Sequence, residues 1–307
     1  MKALVHDKVS PHMLRLGSAE PPAPRPDQAL VEVVSFSFNF GEVAFRSPEA
    51  PAGLIPGWDA AGVVARAAVD GSGPPAGTRV VTFGWTGAWA ELRAVDTANL
   101  AVVPDGLDLG ATAALPVAGV SALQALRALG PIVGRRVLIT GASGGVGRFA
   151  VQLAHLAGAR VIASVGSPER GEGLAELGAS EVIVGPEALR ERVFGVVDNV
   201  GGRQLADAYL RLEAGGTVVA VGKASREPTT IDFEEARIQV DRGRIEAFNL
   251  HAPLGQELAT LVDFAERGAL SLPIGWRGDW VDYREAADHL LNRRIKGKAV
   301  LDVRRVS

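Results

Sequence analysis

Cysteine is absent from the 307 residues, which excludes disulfides, a thiol nucleophile and any thiolate-bound metal. The five histidines (His6, His12, His155, His251 and His289) are scattered without the i, i+4 spacing of a helical metal-binding pair. No metal site is expected. Lys and Arg number 32 against 35 Asp and Glu, a net charge of −3 with no basic run, so a nucleic-acid surface is not expected. No stretch of eighteen uncharged apolar residues occurs, and Met1-Lys-Ala-Leu-Val-His-Asp7 has neither a long apolar core nor a cleavage site. Neither a membrane partner nor a secretory route is indicated, and a cytoplasmic location is the expectation.

Glycine, by contrast, is plentiful, and its placement is informative. Arg136-Val-Leu-Ile-Thr-Gly-Ala-Ser-Gly-Gly-Val-Gly147 runs from an apolar strand pattern into a turn in which Gly141, Gly144, Gly145 and Gly147 leave room for a close backbone approach. A helix then follows from Val146 to Leu156, its buried stripe predicted as Val146, Ala150, Leu153 and Ala157, and Gly158 stops it. Arg160-Val-Ile-Ala-Ser-Val165 is a second strand. This β-turn-α-β unit of about thirty residues is the size of a dinucleotide-binding half, with the pyrophosphate on the helix N-terminus near Ser143, Gly144, Gly145 and Val146.

Before this unit lie short β-like runs, Ala3–Val5, Ala29–Val34, Ala61–Ala65 and Arg79–Phe83, separated by Pro- and Gly-rich connections that predict a small barrel. After Pro104 helical segments appear at Leu109–Leu115 and Ser121–Leu129. Strand and helix then alternate, with further strands at Glu181–Val184, Gly195–Asp198, Thr217–Val221 and Arg244–Leu250, which makes six parallel-sheet candidates. Helices at Leu258–Arg267 and Tyr283–Arg294 and a strand at Ala299–Val303 close the pattern. The fold class expected is α/β, a β-barrel domain beside a doubly wound parallel sheet.

Thr140-Gly-Ala-Ser-Gly-Gly-Val-Gly147 also spells the loop of short-chain dehydrogenases. That class places the loop near its N-terminus and uses a Tyr-x-x-x-Lys pair. Here the only tyrosines, Tyr209 and Tyr283, are followed four positions on by Glu213 and Ala287.

Seven segments in order, Asn39-Phe-Gly-Glu-Val-Ala-Phe-Arg46, Pro56-Gly-Trp-Asp-Ala-Ala-Gly-Val-Val64, Ala118-Gly-Val-Ser-Ala122, Ala142-Ser-Gly-Gly-Val-Gly147, Val197-Asp-Asn-Val-Gly-Gly202, Gly215-Gly-Thr-Val-Val-Ala-Val-Gly222 and Gly297-Lys-Ala-Val-Leu301, carry a further inference. Together they resemble the medium-chain dehydrogenase/reductase family, in particular its zinc-free quinone oxidoreductase and enoyl reductase branches. The resemblance implies a GroES-like substrate domain, residues 1–118 completed by 254–307, and a Rossmann domain at 119–253. It also implies an NADPH-dependent reductase of quinones or α,β-unsaturated carbonyls. Where zinc enzymes of the family have Gly-His-Glu, this chain has Gly57-Trp58-Asp59, so the histidine ligand is missing along with every cysteine.

The cofactor choice is read from the second strand, which ends in Ser164, Gly166 and Ser167 instead of the acid that accepts the ribose hydroxyls of NAD. Arg170 is either a partner for a 2′-phosphate, which makes NADPH the cofactor, or an exposed residue of the next turn. Asn199 and Val200, at the end of the fourth strand, face the expected nicotinamide crevice, and Val221, Gly222 and Lys223 end the fifth similarly. From the resemblance, Asn39 and Ser121 approach the nicotinamide end, and Leu250 with His251 the far side. Asn39 and Ser121 have a helix-capping alternative.

With neither metal nor reactive cysteine, the chemistry expected is hydride transfer to an already polarised acceptor. Three residues are candidate catalytic groups: Asn39; Arg46, which either polarises the acceptor or pairs with Glu42; and Lys223, either a proton donor or a solvated charge. Trp58, Trp85, Trp89, Phe45 and Phe83 either line the pocket or fill the barrel core. Relatives carry tyrosines where this chain has Ala44 and Ala50, which implies a wider, less polar pocket. The rival reading is a catalytically silent NADPH-binding protein of the crystallin or regulatory kind. The apolar strand Arg244–Leu250 ends the sheet with an unpaired edge, which either pairs with a second copy in a homodimer, the expectation here, or is protected in a monomer by the charges of Arg242 and Arg244.

Overall fold

The computed structural model describes residues 1–303, and the chain divides into two compact units, Met1–Val120 with the chain from His251 onward, and Ser121–Leu250. In chain order the strands are β1 (Lys2–His6), β2 (Leu14–Ser18), β3 (Gln28–Phe38), β4 (Asp59–Arg66), β5 (Arg79–Phe83), β6 (Leu92–Asp96), β7 (Leu100–Val102), β8 (Arg136–Ile139), β9 (Arg160–Val165), β10 (Glu181–Val184), β11 (Val193–Asp198), β12 (Leu212–Ala220), β13 (Arg244–Ala247), β14 (Ile274–Asp279) and β15 (Lys298–Asp302). The helices are α1 (Phe40–Ala44), α2 (Leu109–Thr112), α3 (Pro116–Ala128), α4 (Gly145–Leu156), α5 (Gly202–Tyr209), α6 (Phe233–Gln239), α7 (Gly255–Glu266) and α8 (Tyr283–Leu291).

The first unit is built on β3, a long strand of alternating apolar residues that uses both edges. One edge takes β4 along most of its length, while the other is shared, with β6 on Gln28–Glu32 and β15 on Ser35–Phe38. The resulting seven-stranded sheet has the order β14-β15-β3-β4-β5-β7, with β6 attached to β3. This is the GroES-like architecture expected from the sequence, although among the described residues no ladder joins β14 to β7 to close the ring. Phe36, Phe38, Trp89, Trp280 and Tyr283 form its main core, with Phe38 and Trp89 ring centroids 4.6 Å apart.

The second unit is a single six-stranded sheet of order β10-β9-β8-β11-β12-β13, parallel throughout. This is the doubly wound Rossmann order, and the chain changes direction between β8 and β11, where such sheets hold their ligands outside the strand ends. Leu138, Ile162, Val196 and Val218 fill the centre. Helix α4 begins one residue before the expected start, and its buried surface is wider than one stripe, with Phe149, Val151 and Ala154 also covered. Two members of the expected stripe depart from it: Val146, in the first turn, is only half-buried, and Ala157 is exposed because it is the C-cap beyond the last covered turn. The last strand is also shorter than expected. After Ala247 the Phe248 amide still donates to the Ala220 carbonyl at 3.1 Å, and β13 ends there instead of at Leu250.

Candidate active site

In the second unit, the glycine loop after β8 is held from both sides. Ala142 N–H donates to the Ser164 carbonyl at the end of β9 (3.1 Å), and Gly144 N–H returns to the Gly141 carbonyl (3.0 Å). Gly147 is required by packing, since a Cβ there would lie 2.4 Å from the Gly141 carbonyl oxygen and 2.6 Å from Ala142 Cα. Gly141 adopts φ +57°, and a Cβ there would meet Val200 at 3.0 Å and Asn199 at 3.4 Å. The loop after β8 and the turn after β11 therefore touch at the change in chain direction.

Asp198 joins three of these turns. Its buried carboxylate accepts from Thr140 Oγ1 at 2.5 Å and from the Gly201 amide at 2.8 Å, while its carbonyl accepts from the amides of Val221 (2.7 Å) and Gly222 (3.1 Å). Burial raises its pKa against the opposing hydrogen bonds. Asn199 donates from Nδ2 to the Thr140 carbonyl at 2.9 Å. Ser143, Gly144, Gly145, Val146, Asn199, Val200, Val221 and Gly222 are thus brought to one rim. Lys223 is exposed there and packs its Cγ 3.5 Å from the position a Cβ on Gly201 would take.

The rim has a donor set that suits a dinucleotide. Ser164 is fully buried, yet its Oγ has no hydrogen-bond partner among the described residues, and neither has the buried Oδ1 of Asn199. A buried hydroxyl or amide oxygen without a partner is costly, and a ribose hydroxyl or carboxamide would satisfy it. Gly166 faces open space. Arg170 is not directed away into solvent, since its Nε donates to Ser143 Oγ at 2.8 Å. Ser167 precedes it at the start of the same short turn. Ser121 is buried in α3, whereas Leu250 and His251 lie at the chain boundary between the two units.

In the first unit the structure gathers Asn39, Glu42, Asp59 and Lys298, all buried, from α1 and the ends of β4 and β15. Asn39 donates from Nδ2 to Glu42 Oε2 and to Asp59 Oδ2, both at 2.8 Å, and its Oδ1 accepts from Lys298 Nζ at 2.5 Å. Its backbone amide also donates to Glu42 at 3.0 Å. Asn39 is therefore the cap of α1 with its side-chain amide committed. Lys298 pairs with Asp59 at 3.2 Å, and the other Asp59 oxygen accepts from the Val117 amide at 3.1 Å. Burial first, and the charge of Asp59 second, push the Glu42 carboxyl up to about 8.

The expected Arg46–Glu42 pair is not formed. Glu42 spends its oxygens on Asn39 and on the Trp58 amide (2.7 Å), so Arg46 turns to His6 Nδ1 (3.4 Å) and to the Trp89 ring, 5.5 Å from its centroid. Burial holds its pKa down. The five aromatic candidates separate by burial: Trp89 and Phe83 are core, whereas Phe45 and Trp85 are exposed and Trp58 is partly exposed. Among the described residues no group of three or more His, Cys, Asp or Glu is arranged to hold a metal ion, and no helix is long and apolar enough to cross a membrane.

Two residues that carry this geometry, Lys298 and Asp59, have no role assigned from the sequence, and neither has Arg93, whose Nη2 donates to the Trp58 carbonyl at 2.9 Å. Lys298 stood only as a member of Gly297-Lys-Ala-Val-Leu301, and Asp59 only as the residue in place of a glutamate; the signal available for each was a charge inside an otherwise apolar strand. Arg93 had no signal, because its position in β6 reads as a solvent-facing one, yet its side chain is buried.

Residues 145–267 match the zinc-binding dehydrogenase family model and residues 25–105 the alcohol dehydrogenase GroES-like domain. A quinone oxidoreductase of Pseudomonas aeruginosa is 28% identical over 316 aligned positions, covering 95% of this chain and 96% of that one. An acrylyl-CoA reductase of Ruegeria pomeroyi is 36% identical over 194 positions, covering 55% and 56% respectively. A mycobacterial protein solved in complex with NADPH superposes with a TM-score of 0.86 at 25% identity, over 98% of this chain and 99% of that one. The chain belongs to the medium-chain dehydrogenase/reductase family. Within it, the full-length likeness is to the quinone oxidoreductase branch, and the chain is an oxidoreductase.

Proposed function

We propose that the chain is an NADPH-dependent reductase of conjugated carbonyl acceptors, quinones or α,β-unsaturated carbonyls, acting without a metal. The observation that carries the cofactor choice is the rim where an acid is replaced by Ser164, Gly166 and Ser167, with Arg170 folded back onto Ser143. A planar guanidinium beside hydroxyls suits a 2′-phosphate, and an acid at the end of β9 would repel it; the opposing charge nearby is Glu169, next to Arg170 in the following turn. The metal-free reading rests on the missing cysteines and on Trp58 at the histidine position.

In this reading the amides after Ser143, through Gly144, Gly145 and Val146, take the pyrophosphate. Ser121, Asn199, Val200, Val221, Gly222 and Lys223 surround the nicotinamide end, with Leu250 and His251 beyond it. When bound, the cofactor supplies a hydride. The chain's own residues position the acceptor and exclude water, and one proton completes either the enone or the quinone reduction. Lys223, exposed at the rim, is the candidate for delivering that proton, and Arg46 for polarising the acceptor. Asn39 acts as a positioning residue, since its amide is spent on Glu42, Asp59 and Lys298.

The enzyme is further read as a cytoplasmic homodimer joined through the free edge of β13. NADPH oxidation with a panel of quinones and enones tests the activity. Turnover with at least one acceptor is expected, and binding of NADPH with no turnover on any of them would leave the silent NADPH-binding protein.

A further inference from the structure

Arg93 is 1% exposed and, among the described residues, makes no hydrogen bond or ion pair to a carboxylate. Its guanidinium is spent on main-chain carbonyls: Nη2 donates to Trp58 (2.9 Å), Gly84 (2.9 Å) and Thr86 (3.3 Å), and Nη1 to the carbonyl (3.3 Å) and hydroxyl (3.0 Å) of Thr82. Burial of the cation is unfavourable and lowers its pKa to about 10, against the opposing charges of Asp59, Glu42 and Asp96. What the arrangement fixes is the backbone on both sides of Trp85 and at Trp58. The Trp58 amide is held as well, by Glu42 Oε1 at 2.7 Å, and the Gly84 amide donates to the Trp58 carbonyl at 3.1 Å.

The two indoles so pinned meet edge to face, centroids 5.5 Å apart and planes 83° apart. Phe83, buried, backs Trp85 at 4.9 Å. Trp58 lies over Gly41 in the first turn of α1, where a Cβ would sit 3.6 Å from its six-membered ring. Nevertheless Trp85 remains 55% exposed. A rigid indole face beside a perpendicular indole is a pre-organised right-angled corner, which loses little freedom when a flat ring enters it.

We propose that Trp58 and Trp85 form a specificity subsite for a planar, electron-poor aromatic ring, so that within the acceptor class proposed above this chain favours fused-ring aromatic quinones over aliphatic enones. The proposal rests on that functional reading for its acceptor class, but its geometry lies wholly in the first unit. An electron-poor ring stacks on the electron-rich indole face while its edge meets the second indole. Arg93, buried and committed to carbonyls, offers nothing to a phosphate-bearing thioester.

The test compares wild type with Trp85→Leu and Trp85→Phe, checked for unchanged melting curves, using 1,4-naphthoquinone and 3-penten-2-one as acceptors with NADPH. For Trp85→Leu the ratio of kcat/KM for the quinone to that for the enone should fall roughly five- to tenfold, the loss of one aromatic stacking contact, with the change in KM. Trp85→Phe should restore most of it. An unchanged ratio, or a fall that phenylalanine does not restore, overturns the subsite. If wild type reduces neither these two nor any other member of the quinone and enone panel, the functional reading fails by itself. Calorimetric titration with 1,4-naphthoquinone then decides the corner: saturable binding weakened in Trp85→Leu upholds it, and equal or absent binding overturns it.

Discussion

Arg170 donates from Nε to Ser143 Oγ at 2.8 Å, so the cation that follows β9 is tied to the loop that follows β8. Replacing Arg170 by alanine should weaken NADPH binding about 10- to 150-fold, the loss of a charge-assisted hydrogen bond worth roughly 1.5–3 kcal/mol. NADH binding should change little. Fluorescence titration with both cofactors checks this, and equal losses for the two would reject the 2′-phosphate role.

Gly147 and Gly166 should both lose cofactor binding on replacement by alanine but differ in stability. At Gly147 the new methyl would sit 2.4 Å from the Gly141 carbonyl oxygen, and relief of that overlap costs about 1–3 kcal/mol and displaces the loop. Gly147→Ala should lower the melting temperature and abolish NADPH binding together. Gly166 has open space around its Cβ position. Gly166→Ala should leave stability intact and impair only the cofactor titration; a fall in its melting temperature would show that the space is not free.

Lys298→Met removes the cation from the buried Asn39–Glu42–Asp59 group. Leaving a buried charge unpaired costs about 3–5 kcal/mol, read as a shift of the urea midpoint. Adding Asp59→Asn should recover part of that loss, because the orphaned carboxylate is then neutral. If the double variant is as unstable as the sum of the singles, the pair is not coupled.

Glu42 gives the fold a pH dependence of definite sign. Its carboxyl is pushed from 4.5 up to about 8 in the folded protein, so between those values the native state holds a proton that the unfolded chain has released. Stability from this group is present below about 4.5 and is lost as pH rises through about 8. Melting curves from pH 5 to 9 should therefore decline more steeply for wild type than for Glu42→Gln. The slope is the observable, since glutamine also turns an N–H donor toward the Trp58 or Asn39 amides and lowers the absolute value. Parallel curves would remove the assignment.

All four residues of β13 are exposed and, among the described residues, its only ladder is with β12. Since the Phe248 amide points to β12, alternation turns the Ala247 amide to the free edge. Light scattering should give about twice the 32.0 kDa chain mass, and Ala247→Pro, which deletes that edge donor, should dissociate the dimer. A monomeric wild type rejects the assembly, and a dimer indifferent to proline moves the interface elsewhere.

The parallel sheet was legible because β9 and β10 are continuous apolar runs with bounds readable to the residue, and because glycines mark where β8 and α4 meet. β14 escaped notice because Gly275 and Gly278 interrupt its alternation, and its place is set by pairing with β15 instead. The short helix α1 is fixed by Glu42 reaching back to the Asn39 amide, a bond that spacing permits but does not require. Arg46 was paired with Glu42 by proximity along the chain, which cannot reveal that the Trp58 amide and Asn39 claim those oxygens first. Lys298 leaves a local trace as a charge heading an apolar strand, whereas the burial of Arg93 is set by segments distant in the chain and has none.

Synthesis runs against the order in which the first unit is assembled. β15 lies between β14 and the Ser35–Phe38 edge of β3, so a nascent chain that has made its first 120 residues cannot finish that sheet until Lys298–Asp302 leaves the ribosome. At ~5–20 residues per second the wait is roughly 10–40 s. Every strand of the parallel sheet is made within that interval, which lets the inner unit mature first while Asp59 still lacks its lysine. An incomplete chain thus displays an open, apolar strand edge for the whole of that time, and its fate depends on whatever shields that edge until the final strand arrives.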